Sequence, residues 1–276
     1  MRKNYLISLL ALSAMAVSAS SMAKENVTVS GSTTVLPVMQ KISEHLMQKD
    51  PSVVIELSGG GSGNGIKALN EQLTQIAMSS RKIKDKEMKA AEEKGVKPFE
   101  IPVAVDAIVP IVNPKNSLKN LSLDDLRKIY KGEIKNWKEV GGPDAPIVLV
   151  SRDTSSGTFE TWESLVMKNQ RVSPRALLQS SNGTVVQTVS RNPNAIGYVG
   201  LGYVVPIIKA VEIKGIKATP ETAKNGKWPL SRDLVAPVFG NGTMMRHGDR
   251  VGVRMRGDQH GGGSDHGIVV FGEAFT

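Results

Sequence analysis

Apolar residues recur along this chain with two alternating periods, which predict strands and helices in turn. Short runs at 26–29 and 53–57 have the length and β-branched content of strands. Between them, four apolar residues share one helical face: Leu36, Met39, Ile42 and Leu46. Pro37 is compatible with this helix only in its first turn, so we place the helix start near Thr34.

The same alternation continues downstream. The further predicted elements are helices at 66–73, 82–94, 123–130 and 159–167, a strand at 75–78 and a long extended run at 99–112. Ser122 is the predicted N-cap of the third of these helices. Strands that alternate with helices predict an α/β fold with mainly parallel sheets and flanking helices.

Residues 1–23 have the composition of a secretory signal peptide. Arg2 and Lys3 form a charged start, and the 13 residues at 5–17 form an apolar run too short to span a bilayer. Small residues at 21–23 match the positions before a cleavage site. We therefore expect cleavage after Ala23 and an exported, periplasmic protein, with a membrane anchor as the alternative interpretation.

The overall composition narrows the class of function. The 276 residues carry a formal net charge of +9, spread along the sequence, and only 4% are aromatic. This argues against a nucleic-acid surface, which usually combines a basic stripe with stacking aromatics, and favours a solvated surface that attracts anions. The absence of Cys excludes disulfides, thiolate nucleophiles and Cys-based zinc sites. No cofactor is expected.

Two hydroxyl-rich segments stand where a predicted strand runs into a predicted helix. The first is Ser-Gly-Ser-Thr-Thr at 30–34, and the second is Arg-Asp-Thr-Ser-Ser-Gly-Thr at 152–158. A helix N-terminus offers unpaired N–H groups and a positive dipole end, so hydroxyls and an Arg beside two such ends favour an oxyanion site. Ordinary N-capping is the alternative for either segment alone.

A third segment, at 58–65, is rich in glycine but lacks the motifs of nucleotide-binding and hydrolase loops. The Walker A spacing is present, but Ile66 stands where Lys is required, and the G-x-G-x-x-G register fails. Asn64 breaks the G-x-S-x-G pattern around Ser62. Two interpretations remain: a turn that approaches an anion with Ser62 as a donor, or a flexible structural turn.

Seven short motifs occur in a specific order along the chain. They are SGSTTV at 30–35, GSGNGI at 61–66, IAMSSR at 76–81, IYKGEIKNW at 129–137, RDTSSGT at 152–158, AIGYVG at 195–200 and PLSR at 229–232. In this ordered set the chain resembles the periplasmic phosphate-binding proteins of Pst-type ABC importers, over residues 26–234. Each motif alone is weak evidence for this family, whereas the ordered set is highly specific for it.

The resemblance implies a two-lobed, type II periplasmic-binding-protein-like fold that closes on its ligand by a hinge motion. Lobe one would comprise 24–106 and a return segment at 200–234, and lobe two would comprise 107–199. The run at 106–112 would be a hinge crossing. The implied function is capture of inorganic phosphate and its delivery to a membrane ABC permease. We expect a monomer that binds no nucleic acid.

The resemblance also implies ligand residues at matching positions. Arg152 suits a tetrahedral oxyanion because its planar fork makes bidentate hydrogen bonds, although a surface ion pair with Asp153 is the alternative. Asp153 would orient Arg152 rather than touch the ligand. The predicted phosphate-binding set is Ser32, Thr33, Thr34, Ser62, Ser80, Arg81, Asp106, Arg152, Ser156, Gly157 and Thr158. No catalytic or metal-binding residue is predicted.

Asp106 is the candidate that would select phosphate over sulfate. Some family members carry Gly-Ala-Ser-Asp where this chain has Ala-Met-Ser-Ser at 77–80, and their Asp accepts the proton that phosphate retains and sulfate lacks. Here Ser80 and Arg81 stand at that place, as in a shorter branch of the family. Asp106 lies in an otherwise apolar run, where an unpaired carboxylate is costly. It would accept the phosphate proton, or else pair structurally with a nearby N–H or Arg.

Residues 235–276 depart from the family pattern. They contain ten Gly and no Lys, show no helical periodicity and hold three of the four His: His247, His260 and His266. So abrupt a change suggests a shifted reading frame from near residue 235, and we expect 235–276 to be poorly packed. The irregular His spacing in Gly-rich sequence predicts no metal site.

Two other functions stay open at this point. A phosphomonoester hydrolase would use Ser62 or Ser156 as nucleophile, although no base or activated nucleophile is visible in the sequence. A surface or matrix adhesin on the same fold would show no domain closure with phosphate.

Overall fold

The computed structural model describes residues 25–239, 243–247, 250–254 and 268–271. The strands are β1 Glu25–Gly31, β2 Val53–Gly59, β3 Ile76–Met78, β4 Pro98–Val112, β5 Asn120–Leu121, β6 Val148–Arg152, β7 Leu177–Gln179, β8 Ala195–Gly200, β9 Lys209–Ala210, β10 Glu212–Ile213, β11 Ser231–Phe239, β12 Thr243–His247, β13 Arg250–Arg254 and β14 Ile268–Phe271. The α-helices are α1 Leu36–Lys49, α2 Ser62–Asn70, α3 Asp85–Glu92, α4 Leu123–Lys131, α5 Gly157–Leu165, α6 Asn182–Arg191 and α7 Pro220–Lys224. Within these residues, no helix has both the length and the apolar character that crossing a membrane requires.

Lobe one is built on three parallel strands. β1 pairs with β2 on one side and with β3 on the other, as alternating helices allow. Its core holds ten buried apolar residues: Val27, Val29, Val35, Met39, Ile76, Met78, Ile101, Leu234, Ala236 and Val238. Because the strands are parallel, the segments that follow β1, β2 and β3 reach the same edge of the sheet. The hydroxyl-rich segment, the glycine-rich loop and Ser80 therefore meet there.

Lobe two repeats this arrangement around an aromatic core. β6 pairs in parallel with β7 and β8, so the residue that ends β6, Arg152, lies at the corresponding edge. The rings of Trp162 and Tyr198 stack with centroids 4.2 Å apart, and Tyr130 meets Trp162 edge-on at 5.0 Å. The Tyr198 hydroxyl accepts from the Arg152 backbone N–H at 3.2 Å and lies 2.8 Å from Ser151 Oγ. Aromatic packing thus fixes the backbone that carries Arg152.

Two long strands cross between the lobes and join their sheets. The sheet order is β2-β1-β3-β11-β4-β8-β6-β7, with β9 also on β4. β4 pairs antiparallel with β11 up to Ala107 and with β8 from Ile108 onward. The change of partner lies within the predicted hinge run at 106–112 and one residue from the predicted lobe boundary. Both β4 and β11 pair antiparallel with the strands beside them, whereas the other pairs of neighbouring strands on this path are parallel.

The return to lobe one occurs later in the chain than expected. The prediction placed 200–234 in lobe one, but the core of lobe two includes Ile208, Trp228 and Leu230. Trp228 Nε1 donates to the carbonyl of Ile108 at 3.0 Å, which ties this segment to the lobe-two end of β4. The prediction was wrong because it took the lobe bounds from the family resemblance, whereas burial of these apolar side chains determines the packing. Only β11 returns.

The prediction that residues 235–276 are poorly packed is wrong for the first residues of that segment. β11 continues to Phe239, with Val235, Ala236 and Val238 buried in lobe one and a register shift between Leu234 and Val235. The short strand β13 pairs antiparallel with β12 and with β14. Their side chains, the remaining residues of the tail and the signal peptide lie outside the described part, so the predictions about them stay predictions.

The predicted elements agree with the structure in type, and their ends differ by a few residues. Ser122 caps α4 as predicted, because its Oγ accepts from Asp125 N–H at 3.0 Å. The helix predicted at 66–73 instead begins at Ser62, because the glycine-rich loop forms its first turn. Gly61, with φ of 97°, provides the left-handed turn that lets the chain enter α2.

Candidate anion-binding cleft

Four helices begin at the cleft between the lobes. Thr33 and Thr34 precede α1, Ser62 opens α2, Gly157 opens α5 and Asn182 opens α6. The first two helices belong to lobe one and the last two to lobe two. Helix N-termini present free N–H groups and a positive dipole end, so this convergence favours an anion.

Hydroxyl and amide groups of the two lobes meet directly in the cleft. Thr34 Oγ1 lies 3.0 Å from Thr158 Oγ1. Asn182 Nδ2 donates to Thr33 Oγ1 at 2.9 Å and to Thr34 Oγ1 at 3.0 Å. All four side chains are buried. Asn182 is missing from the predicted set, because its only signal in the sequence is its place after Ser181, an ordinary helix N-cap.

The N-terminus of α5 lies against the serines of lobe one. Ser62 Oγ accepts from Ser80 N–H at 3.1 Å and lies 3.3 Å from Ser80 Oγ. A Cβ at Gly157 would overlap Ser62 Oγ and lie 2.8 Å from Ser80 Oγ. Gly63 N–H also donates to the carbonyl of Ser155 at 2.9 Å across the cleft. The two lobes are therefore closed on each other at this point.

Two further predicted hydroxyls are buried beside these contacts. Ser32 Oγ accepts from Thr34 N–H at 3.2 Å, and Ser156 Oγ accepts from Phe159 N–H at 3.2 Å and caps α5. A hydroxyl that accepts a hydrogen bond still has its own proton to donate. Both residues thus hold their helix or turn in place and remain potential donors.

Arg152 is buried and held by main-chain carbonyls. Its Nε donates to Gln179 O and its Nη2 to Ser180 O, both at 2.9 Å. The prediction that Asp153 orients this guanidinium is wrong, because Asp153 Oδ1 accepts from Ser155 N–H at 2.8 Å and from the Ser155 hydroxyl. Asp153 stabilises the turn before α5, while the end of β7 positions Arg152.

Arg232, which the predicted set omits, enters the cleft from β11. Its Nε and Nη2 donate to Asp106 Oδ2 at 3.0 and 2.9 Å, and Nη2 donates to Thr158 Oγ1 at 3.0 Å. Its Nη1 is buried and has no hydrogen-bond partner among the described residues. The signal in the sequence is the PLSR motif at 229–232, which contributes to the family resemblance but offers no local reason to place its Arg in the site.

The structure pairs Asp106 with protein groups. Oδ2 accepts the two hydrogen bonds from Arg232, and Oδ1 accepts from Leu201 N–H at 3.0 Å. Both oxygens of the carboxylate thus bind protein groups, while Oδ1 keeps a second acceptor position, so the role of Asp106 as acceptor of a phosphate proton stays a prediction. The alternative prediction, that Asp106 pairs with a nearby N–H or Arg, agrees with these contacts. Asp106 positions Arg232.

The buried charges of the cleft do not balance. Burial lowers the pKa of the Arg152 guanidinium, and the charge of Arg232 lowers it further, against the opposing charge of Asp153. Burial also lowers the pKa of Arg232, with Asp106 opposing that effect. Arginine keeps its proton in proteins, so two buried cations face one buried carboxylate, Asp106. An anion in the cleft would neutralise the remaining charge.

Arg81 lies apart from this cluster of hydroxyls and guanidinium groups. Its Nη1 and Nη2 donate to the two carboxylate oxygens of Glu87 at 2.8 Å, and its Nε lies 2.7 Å from Glu160 Oε2. The prediction of Arg81 as a phosphate ligand is therefore wrong, since two carboxylates hold its guanidinium.

A model of the PBP superfamily domain matches residues 16–241 of the chain. The phosphate-binding protein PstS of Borreliella burgdorferi is 33% identical over 220 residues, which cover 76% of this chain and 77% of that protein. The PstS of Bacillus subtilis is 32% identical over 209 residues, covering 75% and 68% of the two chains. This chain belongs to the PstS family of phosphate-binding proteins.

Solved structures of PstS-like proteins have the same fold. A phosphate ABC transporter substrate-binding protein of Clostridium perfringens, with bound phosphate, is 38% identical with a TM-score of 0.73, over 78% of this chain and 86% of that one. An ABC-type phosphate transport receptor of Vibrio cholerae is 32% identical with a TM-score of 0.62, over 78% and 87%. The superfamily match ends at residue 241, so the prediction that the family pattern stops after Leu234 is wrong.

Proposed function

We propose that this protein captures inorganic phosphate between its two lobes and delivers it to an ABC permease. We also propose that it acts as a monomer in the bacterial periplasm after removal of residues 1–23. The observation that carries the proposal is the buried guanidinium of Arg232, whose Nη1 lacks a partner among the described residues, in a cleft where four helix N-termini converge. Membership of the PstS family supports the same ligand.

The chemistry of the cleft suits a tetrahedral oxyanion. Hydroxyls from both lobes surround it, and a hydroxyl can donate to a bare phosphate oxygen or accept from a protonated one. The unpartnered Nη1 of Arg232 would add a charge-assisted donor, and Arg152 would add a second cation. We therefore propose a ligand set without Arg81 and Asp106 and with Asn182 and Arg232 added. It comprises Ser32, Thr33, Thr34, Ser62, Ser80, Arg152, Ser156, Gly157, Thr158, Asn182 and Arg232.

We propose a binding function without catalysis. The two serines considered as nucleophiles hold structural hydrogen bonds, since Ser62 Oγ accepts from Ser80 N–H and Ser156 Oγ caps α5. A serine nucleophile needs a neighbouring base that takes its proton. Among the described residues, neither hydroxyl donates to a His or a carboxylate.

Isothermal titration of the mature protein with phosphate and with sulfate tests the proposal. We expect one phosphate per chain and weaker competition by sulfate, together with compaction in small-angle X-ray scattering when phosphate is added. Absence of phosphate binding would overturn the proposed function. Binding without compaction would favour the adhesin interpretation, and release of phosphate from a phosphomonoester would favour the hydrolase.

Replacing Arg152 with Lys should weaken phosphate binding by about ten- to a hundredfold. Lys cannot reproduce the planar fork, so the carbonyls of Gln179 and Ser180 lose their donors and the anion loses a preorganised cation. Titration of the Arg152→Lys variant with phosphate measures this change. Wild-type affinity in that variant would remove Arg152 from the ligand set.

Replacing Asp106 with Asn should change phosphate and sulfate affinities by similar factors. Its carboxylate holds Arg232, so its loss disturbs a cation that serves either anion. Asp233→Asn, at an exposed carboxylate on the same strand as Arg232, is the matched control. The ratio of the two dissociation constants is the readout. A selective gain for sulfate in Asp106→Asn would support Asp106 as the acceptor of the phosphate proton.

A further inference from the structure

Arg81 follows Ser80 of the cleft and is fixed within lobe one. Glu87, on α3, receives both terminal nitrogens of its guanidinium and also accepts from Lys84 N–H at 2.9 Å. This bidentate pair leaves Nε pointing away from Glu87. Burial alone would lower the pKa of Arg81, but the hydrogen bonds that Arg81 donates to Glu87 and the charges of Glu160 and Glu87 raise it. Lobe one therefore presents a fixed cation at its edge.

The group that meets this cation comes from the other lobe. Glu160 lies in the first turn of α5, the helix that begins with Gly157 and Thr158. Its Oε2 lies 2.7 Å from Arg81 Nε and 2.5 Å from Lys84 Nζ. One oxygen of lobe two thus lies between two cations of lobe one. These atoms are in ionic contact, and the Arg81–Glu160 pair lacks the alignment of a hydrogen bond.

The three side chains of this contact differ in their exposure to solvent. The side chains of Arg81 and Glu160 are 9% and 17% exposed, whereas that of Lys84 is 43% exposed. If the lobes separated, Arg81 would keep its bond to Glu87 within lobe one, while Glu160 would lose its contacts with lobe one. A contact made across the lobes favours the closed arrangement.

We propose that Arg81, Lys84 and Glu160 form a closure latch, which holds the two lobes together over the bound anion and sets the rate at which it leaves. This inference rests on the proposed function, because the latch needs phosphate to close on. The latch residues position the lobes and do not touch the ligand. Because the contact forms after the anion has entered, its loss should appear in the dissociation rate more than in the association rate.

Glu160→Gln should accelerate phosphate dissociation by about tenfold, as expected for loss of one charge-assisted contact between largely buried groups. Lys84→Met should accelerate it by about two- to threefold, because half-exposed ion pairs are weak. Since both variants remove parts of one contact, the double variant should release phosphate no faster than Glu160→Gln alone. Dissociation is measured by chasing bound radiolabelled phosphate with unlabelled phosphate.

Glu163→Gln is the matched control, since it removes the same charge from the same helix and Glu163 forms no ion pair among the described residues. The melting temperature provides the second readout. The latch requires an unchanged melting temperature without phosphate and a smaller phosphate-induced rise in Glu160→Gln. An equal fall with and without phosphate would indicate a merely structural contact and overturn the latch.

The outcomes separate the two proposals. If the wild-type protein does not bind phosphate, the proposed function fails. If it binds phosphate and Glu160→Gln releases it at the wild-type rate, the latch alone fails. If Glu160→Gln does not fold, the Lys84→Met variant tests the latch instead, because the half-exposed side chain of Lys84 can be replaced without leaving a cavity in the core. Release of phosphate at the wild-type rate in Lys84→Met would then overturn the latch.

Discussion

Gly157→Ala should weaken phosphate binding by about ten- to a hundredfold while the protein stays as stable as the wild type without ligand. The added methyl group would overlap Ser62 Oγ and lie 2.8 Å from Ser80 Oγ, so the N-terminus of α5 could not approach the lobe-one serines. Forcing an extra methyl group into such a contact costs about 1–3 kcal/mol. Alanine at this helical position does not strain the backbone, because Gly157 has an ordinary negative φ.

Gly183→Ala is the matched control for this steric effect. Gly183 occupies the first turn of α6, the other lobe-two helix that begins at the cleft, and a Cβ there would meet only Ser181 Oγ at 3.8 Å. We expect unchanged phosphate affinity in Gly183→Ala. Titration calorimetry and thermal unfolding of both variants make the comparison. Normal affinity in Gly157→Ala would show that the anion is bound without this close approach of the lobes.

Arg232→Met should both destabilise the protein and abolish most phosphate binding. Asp106 would stay buried with only Leu201 N–H as a partner, and breaking a buried ion pair on one side costs about 3–5 kcal/mol. The cleft would also lose the donor that has no partner among the described residues. Loss of a charge-assisted hydrogen bond and of one buried cation should reduce phosphate affinity by about a hundredfold or more.

A double variant separates these two effects. Arg232→Met combined with Asp106→Leu removes both buried charges, and replacing a whole ion pair by apolar groups is often neutral for stability. We therefore expect most of the lost unfolding free energy to return, while phosphate affinity stays low. Urea unfolding and titration of the three variants test this expectation. Recovery of binding in the double variant would show that Arg232 only neutralises Asp106.

Much of the fold could be predicted from local patterns. The apolar stripe of α1, the Ser122 cap of α4 and the apolar run of β4 depend on residues close in sequence, so the structure has elements of those types at those places. The ends of helices were less predictable. α2 begins at Ser62, in a loop whose glycines show no helical period. This start could not be predicted, because the backbone hydrogen bonds of a first turn leave no pattern in the side chains.

The site was predictable in its hydroxyls and less so in its charges. The Ser and Thr residues at helix starts were recognisable, since a helix start has a local signature. Arg81 was assigned wrongly, Arg232 was missed, and the pairing of Asp106 was one of two alternatives. Arg232 is held by Asp106, 126 residues away, whereas Arg81 is held by Glu87 of α3 and meets Glu160 of the other lobe.

Neighbouring residues, and motifs in a set order, thus specify the alternation of strands and helices, the hydroxyl-rich helix starts and the family. Long-range packing establishes which charged group faces the cleft, which carboxylate is already paired and where the chain returns to lobe one. The cost of burying a charge depends on its partner in space, and β4 and β11 bring Asp106 and Arg232 into contact across 126 residues of chain.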